Sequence, residues 1–230
     1  MREIIFDTET TGLDNRMDRI IEIGCIELID HFPTGRTLHL YINADGRNIH
    51  PDALAVHGIT DDFLLDKPCF HEVCEEIDIF FEGATLIAHN ATFDIGFVNA
   101  EFERVKRALI GRERILDTLV LARRRHPMGP NSLDALCKRY GIDNSRREKH
   151  GALLDAELLA EVYIEMIGGR QTALGLDSGL GDDAVAIALA IEGELTRPRP
   201  LAARLSAAEE AAHAGLVEAL GENALWRTLA

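Results

Sequence analysis

Two acids separated by one residue close the apolar stretch IIFDTET: Asp7 and Glu9. Side chains alternate faces along a strand, so both point the same way. Two further acids interrupt apolar helical patterns. Asp94 shares a stripe with Phe97, Val98 and Phe102, and Asp155 precedes Leu158, Leu159 and Val162. A carboxylate on an apolar stripe is unfavourable unless something pairs with it. Taken singly, either Asp also fits a helix N-terminus, where the dipole stabilises it. Four such acids, two on one strand, point instead to a shared partner. Two carboxylates about 4 Å apart repel by roughly 4 kcal/mol at an effective dielectric near 20, so a converging set calls for cations. All-oxygen ligation selects a hard ion, Mg²⁺ or Mn²⁺. Two such ions in a carboxylate cluster suit phosphodiester cleavage: one activates water, and both share the charge that develops on phosphorus and leaving oxygen. His150, in HGALLD, supplies a base. Gly151 leaves it in the loop ahead of the helix that carries Asp155, where it can swing toward the metals and take a proton near neutral pH.

Several elements must bring these residues together. Strand patterns run over Glu3–Asp7, Arg19–Leu28 and Arg36–Asn43, separated by short polar loops that suggest an antiparallel meander. DALAVHGIT, after Pro51, reads as a short helix and turn. Phe70 to Phe81 places Val73, Ile77 and Phe80 on one helical stripe. Ala84 to Asn90 is a buried strand, ATFDIGFVNAEFERV a helix, and Ile115 to Thr118 a short strand. Helices are expected at Leu119–Arg125, Ser132–Tyr140 and Ala152–Met166. A meander followed by alternating helix and strand makes an α/β mixed sheet of five strands with helices on its faces.

The texture changes after Gly168-Gly169, so the domain boundary is expected there, with residues 1–169 as one domain and 170–230 as a tail. Residues 175–183 are rich in Gly and Asp, like a flexible linker. Arg197-Pro198-Arg199-Pro200 breaks any helix. Ser206 to Leu220 is rich in Ala and Glu, and Ser206 with Glu209 forms a capping box. The chain ends ENALWRTLA, which holds its only tryptophan. A tail of this size is too thin to bury a core alone.

Bulk composition narrows the classes. Of 230 residues, 47% are apolar, enough for a real core, and no apolar run is long enough to span a bilayer. Met1-Arg2-Glu3 leads straight into a strand pattern without a signal-peptide stretch. Cys25, Cys69, Cys74 and Cys137 form no CxxC pair and read as reduced thiols, so a cytoplasmic location is expected. The net charge of −15 argues against a nonspecific polyanion binder. Its distribution is uneven: residues 1–100 hold 6 basic and 19 acidic side chains, and residues 101–150 hold 13 basic and 7 acidic. That positive island includes Arg104, Arg123, Arg124, Arg146, Arg147 and Lys149. It reads either as solvated helix faces or as a surface facing phosphates.

FDTETTGL, HNATFD and HGALLDA together resemble the three exonuclease motifs of the DEDDh 3′→5′ exonuclease family. Within that family the chain is similar to the proofreading epsilon subunits of bacterial DNA polymerase III. Residues 1–168 carry the similarity strongly and the C-terminal end more weakly. One D-x-E is a weak signal; three motifs in order at these separations are specific. The resemblance implies an RNase H-like fold. It implies that Asp7, Glu9 and Asp155 bind two divalent ions at the substrate, with Asp94 assisting directly or through water, and that His150 is the general base. It also points to DALAVHGIT, where an acid and a histidine of the family contact the terminal nucleotide. His57 matches the histidine; Asp52 stands where a glutamate is familiar. Thr8, Thr10 and Asn90 lie inside the motifs, near the expected 3′ end. QTALGL, Gln171 to Leu176, resembles the Q-x-x-L-x-F/L segment that binds the sliding clamp. The terminal ALWRTLA resembles the segment that docks on the polymerase alpha subunit. The implied activity is removal of mispaired 3′-terminal nucleotides from DNA. A DEDDh exoribonuclease shares the chemistry, and a noncatalytic bridge between polymerase and clamp shares only the tail.

Overall fold

The computed structural model describes residues 1–147, 149–168 and 206–221. They fall in two units that are taken separately, with residues 1–168 in the first and 206–221 in the second. The boundary expected at Gly169, the QTALGL segment and the terminal ALWRTLA lie outside the described residues.

Five strands form one sheet in the order β3-β2-β1-β4-β5. They are β1 (Arg2–Thr10), β2 (Ile20–Ile29), β3 (Phe32–Tyr41), β4 (Thr85–Ala88) and β5 (Ile115–Asp117). The first three form an antiparallel meander, and β4 and β5 add to β1 in parallel. Apart from shifts of a residue or two at other ends, three features differ from the sequence expectation. β1 runs on to Thr10, because its pairing with β2 continues through Glu9↔Glu22 and shifts register only between Glu9 and Thr10. Glu9 therefore lies on the strand, as the same-face reading requires. β3 begins at Phe32 rather than Arg36. Asp30 and His31, both at positive φ (49° and 68°), make a two-residue turn. Pro33 reads as loop in the sequence, but β3 is an edge strand, where proline is tolerated. A short helix at Asp61–Leu64, capped by the Thr60 hydroxyl accepting from the Phe63 N–H, was not expected from the pattern.

Helices cover both faces. They are α1 (Pro51–His57), α2 (Asp61–Leu64), α3 (Phe70–Phe81), α4 (Ala91–Arg104), α5 (Thr118–Arg125), α6 (Leu133–Tyr140) and α7 (Ala152–Met166). On β1, Ile4 and Phe6 join the core under α3 and α4, while Ile5 joins the core under α5, α6 and α7. β2 is buried along nearly its whole length, which is why its sequence alternates only loosely. Each such side chain contributes about 1.5–3 kcal/mol by leaving water, so β1 and β2 form the rigid centre of the domain. All four cysteines are free, and burial pushes the Cys25 thiol up, away from reactivity.

In the second unit, the helix Ala207–Ala219 starts at the expected capping box. The Ser206 hydroxyl accepts from the Glu209 N–H, and the Glu209 carboxylate accepts from the Ser206 N–H. None of its residues is buried. Among the described residues no helix is long and apolar enough to cross a membrane.

Candidate active site

The C-terminal end of β1 sets the first two ligands. Alternation puts Asp7 and Glu9 on the face that α7 covers, and the partner of Asp7 on β2 is Gly24. A Cβ built on Gly24 would stand 2.2 Å from the Leu153 backbone nitrogen and 2.3 Å from its Cα. The first turn of α7 therefore rests directly on β2, an approach that only glycine permits. Asp155 lies in that first turn and is brought down onto the strand end. Atoms of Glu9, His150 and Asp155 able to ligate an ion all lie within 4.8 Å of one another.

Asp94 arrives from the opposite layer, in the first turn of α4. Its Oδ1 accepts from the Thr8 N–H at 3.1 Å and the Thr8 hydroxyl at 2.7 Å. Thr8 faces the other side of β1 from Asp7 and Glu9, so these bonds tie α4 to the strand end between the two acids. Asn90, just before α4, is left-handed (φ 68°), and its N–H donates to Asp117 Oδ1 at 3.2 Å. Asp7, Glu9, Asp94 and His150 line one cleft of about 610 Å³. Leu13, Val56 and Phe93 give it apolar walls, and His57, Asp52 and Arg47 stand around it.

The electrostatics are those of a cluster short of positive charge. Burial pushes the Asp7 carboxyl well above its ordinary 3.8, and Asp94, Glu9 and Asp155 add to the effect. Burial first, and then Glu22 opposite it on β2, push Glu9 up to about 8. Asp94 is pushed up to about 7 by burial, against the two Thr8 bonds that favour its charged form. Asp155 goes the other way. Burial raises it, but the Arg147 guanidinium and His150 outweigh burial and hold it below the ordinary range. Arg147 grips Asp155 with two bonds, Nε to Oδ1 at 2.5 Å and Nη2 to Oδ2 at 2.7 Å. A buried oxygen-rich cluster that would otherwise hold protons fits a hard divalent cation.

His150 sits in the loop before α7, as expected. Its backbone N–H donates to the Val56 carbonyl at 3.2 Å, which pins the loop to α1. Its Nδ1 lies 2.9 Å from Arg147 Nη2 and 3.3 Å from Asp155 Oδ2, and the ring is half-exposed. His57 is buried at the end of α1. Its Nδ1 accepts from the Ile59 N–H at 3.0 Å, leaving Nε2 buried without a well-formed hydrogen bond among the described residues. Burial holds its pKa below 6.5, against the opposing pull of Glu22 and the Thr10 backbone, and this favours the neutral ring with its proton on Nε2. Asp52 stands at the rim with its side chain 96% exposed, 3.5 Å from His50 Nδ1. The five expected residues Asp7, Glu9, Asp94, His150 and Asp155 thus converge, and His57 and the exposed Asp52 both line the cleft, Asp52 at its mouth.

Sequence reasoning missed two residues. Arg147 counted only as one charge of the basic island. Glu22 looked like an ordinary strand acid, yet it is buried directly across from Glu9, with Oε1 2.7 Å from His39 Nε2. The signal for Glu22 was available only once the β1–β2 register was known.

Comparisons with known proteins agree with this geometry. An exonuclease family model, that of RNase T, matches residues 4–163. DNA polymerase III subunit epsilon of Rickettsia felis is 52% identical over 177 residues, 75% of this chain and 77% of that protein. The epsilon subunit of Escherichia coli K12 is 49% identical over 177 residues, covering 74% and 72%. That of Pasteurella multocida is 44% identical over 219 residues, covering 90% and 86%. Among solved structures, exonuclease X in complex with 5′-overhanging duplex DNA matches with a TM-score of 0.55 at 30% identity, covering 72% of this chain and 90% of that one. An exonuclease I structure matches with a TM-score of 0.65 at 21% identity over 74% of this chain and 41% of its own, a likeness of fold. By these matches the chain belongs to the DEDDh exonuclease family, in its branch of DNA polymerase III epsilon subunits.

Proposed function

We propose that this chain is the 3′→5′ proofreading exonuclease subunit of a bacterial DNA polymerase III, hydrolysing the terminal phosphodiester of a mispaired primer to release a nucleoside 5′-monophosphate. One observation carries the reading: Glu9, His150 and Asp155 offer ligand atoms within 4.8 Å of one another, in a cleft whose walls also hold Asp7 and Asp94. Asp7, Glu9, Asp155 and Asp94 would hold two divalent ions, Mg²⁺ or Mn²⁺. When bound, such ions lower the pKa of water and stabilise the charge shared by the attacking and leaving oxygens. His150 takes the proton of the attacking water at Nε2, the nitrogen left free when Nδ1–H faces the Asp155 carboxylate. The new bond joins the water oxygen to phosphorus, the bond from phosphorus to the 3′ oxygen breaks, and that oxygen leaves with a proton from solvent.

The remaining cleft residues fit a nucleotide end. His57 has a buried N–H to give, Asp52 stands at the mouth, and Leu13, Val56 and Phe93 are apolar surfaces for bases. Arg123 is exposed on α5 and depresses the pKa of His89 in the cleft wall, after burial, so the positive island adjoins the cleft on that side. We assign that edge to the phosphates of the strand leading into the site. Residues 170–230 serve as linker and tail, Gln171–Leu176 binding the sliding clamp and the terminal segment the polymerase alpha subunit.

The test is digestion of a 3′-mispaired primer on a DNA template, of single-stranded DNA and of single-stranded RNA, with Mg²⁺, with Mn²⁺ and with chelator. The mispaired nucleotide should leave as a 5′-monophosphate only when metal is present, and DNA should be preferred. A strong preference for RNA would make the protein an exoribonuclease, and undiminished cleavage in chelator would remove the metals from the mechanism.

A further inference from the structure

No nuclease step requires Arg147, yet it is among the most firmly held side chains of the site. Its side chain is 8% exposed, and it touches three partners. Nε and Nη2 take both oxygens of Asp155, Nη1 donates to Asp134 Oδ1 at 2.9 Å, and Nη2 lies 2.9 Å from His150 Nδ1. A guanidinium held at both oxygens neutralises the carboxylate and stands where an incoming cation would have to approach it. The same guanidinium reaches the imidazole of His150. Nδ1 of the ring lies against Arg147 Nη2 and near Asp155 Oδ2, so guanidinium, imidazole and carboxylate share one contact. Arg147 in this position therefore competes with a metal ion for Asp155. It also has somewhere to go. Asp134, at the start of α6, is 57% exposed, is held by Asn144 Nδ2 at 2.9 Å, and does not line the cleft.

Resting on the metal reading above, we propose that Arg147 is a displaceable counter-ion, a positioning residue that stands in for the divalent cation until metal arrives. In the metal-free protein it neutralises Asp155 and packs against His150 Nδ1. Metal entry takes Asp155 away from it, and the guanidinium retreats onto Asp134. Metal and arginine thus compete for one carboxylate, and Asp134 favours the metal by holding the arginine that has been displaced.

This makes two variants move in opposite directions. Mn²⁺ binding is measured by calorimetry on the chelator-treated full chain, as wild type, Arg147→Gln, Asp134→Asn and the double variant. Removing the competitor should tighten Mn²⁺ binding by about fivefold or more, the low end of ordinary site-to-site coupling. Removing its refuge should weaken binding by a similar factor. The double variant should behave like Arg147→Gln, since Asp134 matters only through the arginine. A supporting role in the fold alone predicts weaker binding for both. If the wild type binds Mn²⁺ and Arg147→Gln binds it equally or less tightly, the proposal is overturned while the metal site stands. If the wild type binds none, both fall. Should Arg147→Gln not fold, Asp134→Asn alone decides, and unchanged or tighter binding overturns the proposal.

Discussion

Glu9 faces Glu22 across the β1–β2 ladder, and like charges directly opposite destabilise a sheet. Glu22 is satisfied by His39, whereas Glu9 is left to the cleft and is pushed up to about 8 from 4.5, by burial first and Glu22 second. A folded pKa above the unfolded one means that the folded state binds the proton more tightly. Its contribution to stability is complete below about pH 4.5 and is lost as pH rises to about 8. Asp94, pushed up from 3.8 to about 7 by burial, behaves alike. His57 is depressed below 6.5 by burial and works in the opposite sense, since stability gained by shedding its proton grows up to pH 6.5. The metal-free protein should therefore lose thermal stability as pH rises from about 4.5 to 8, with His57 offsetting part of the loss below pH 6.5, and saturating Mn²⁺ should raise its melting temperature most at pH 8. Melting curves with chelator and with Mn²⁺ across that range check this; a metal-free melting temperature that rises toward pH 8 contradicts it. For His150, replacement by Ala should lower turnover by about 10²–10⁴, the usual worth of a general base, with metal affinity nearly unchanged. Parallel loss of both would make it a ligand.

The elements explain why those residues meet. β1 fixes Asp7 and Glu9 on one face, α4 presents Asp94 through Thr8, and α7 delivers Asp155 by lying on Gly24. Gly24→Ala forces a methyl into the Leu153 backbone, and overpacking of this kind costs about 1–3 kcal/mol. It should also lift Asp155 from the cluster, weakening Mn²⁺ binding along with stability. Denaturant unfolding and calorimetry on the variant test both, and a stable variant with normal metal affinity would show that the close approach is not what holds the site. The same-face pair on β1 could be read from alternation alone, and helices α3, α4, α6 and α7 from their apolar stripes. The role of Gly24 could not, because it depends on which strand pairs with β1 and which helix crosses above. Arg147 and Glu22 were hidden for the same reason: their partners lie on other elements, and nothing local in RREKHG or IIEIG names them. β3 began early because an edge strand tolerates Pro33, which the sequence alone presents as a breaker.

At the scale of the whole chain, charge and motif order could be read directly. The basic residues 101–150 sit within an otherwise acidic protein, and the three acid-bearing motifs come in the order of the family that the comparisons identify. The helix at Ala207–Ala219 began at its capping box, because a cap is a local property that needs no tertiary partner. If residues 170–230 form the binding tail proposed above, catalysis and assembly can be broken independently. The measurement that tests this most directly pairs two readouts on one variant, Asp7→Ala with Glu9→Ala in the full chain. Digestion of a mispaired primer in Mg²⁺ should be abolished, while capture of the polymerase alpha subunit through the tail should be undiminished. Continued digestion by the double variant would contradict the assignment of the metal cluster on which the whole reading depends.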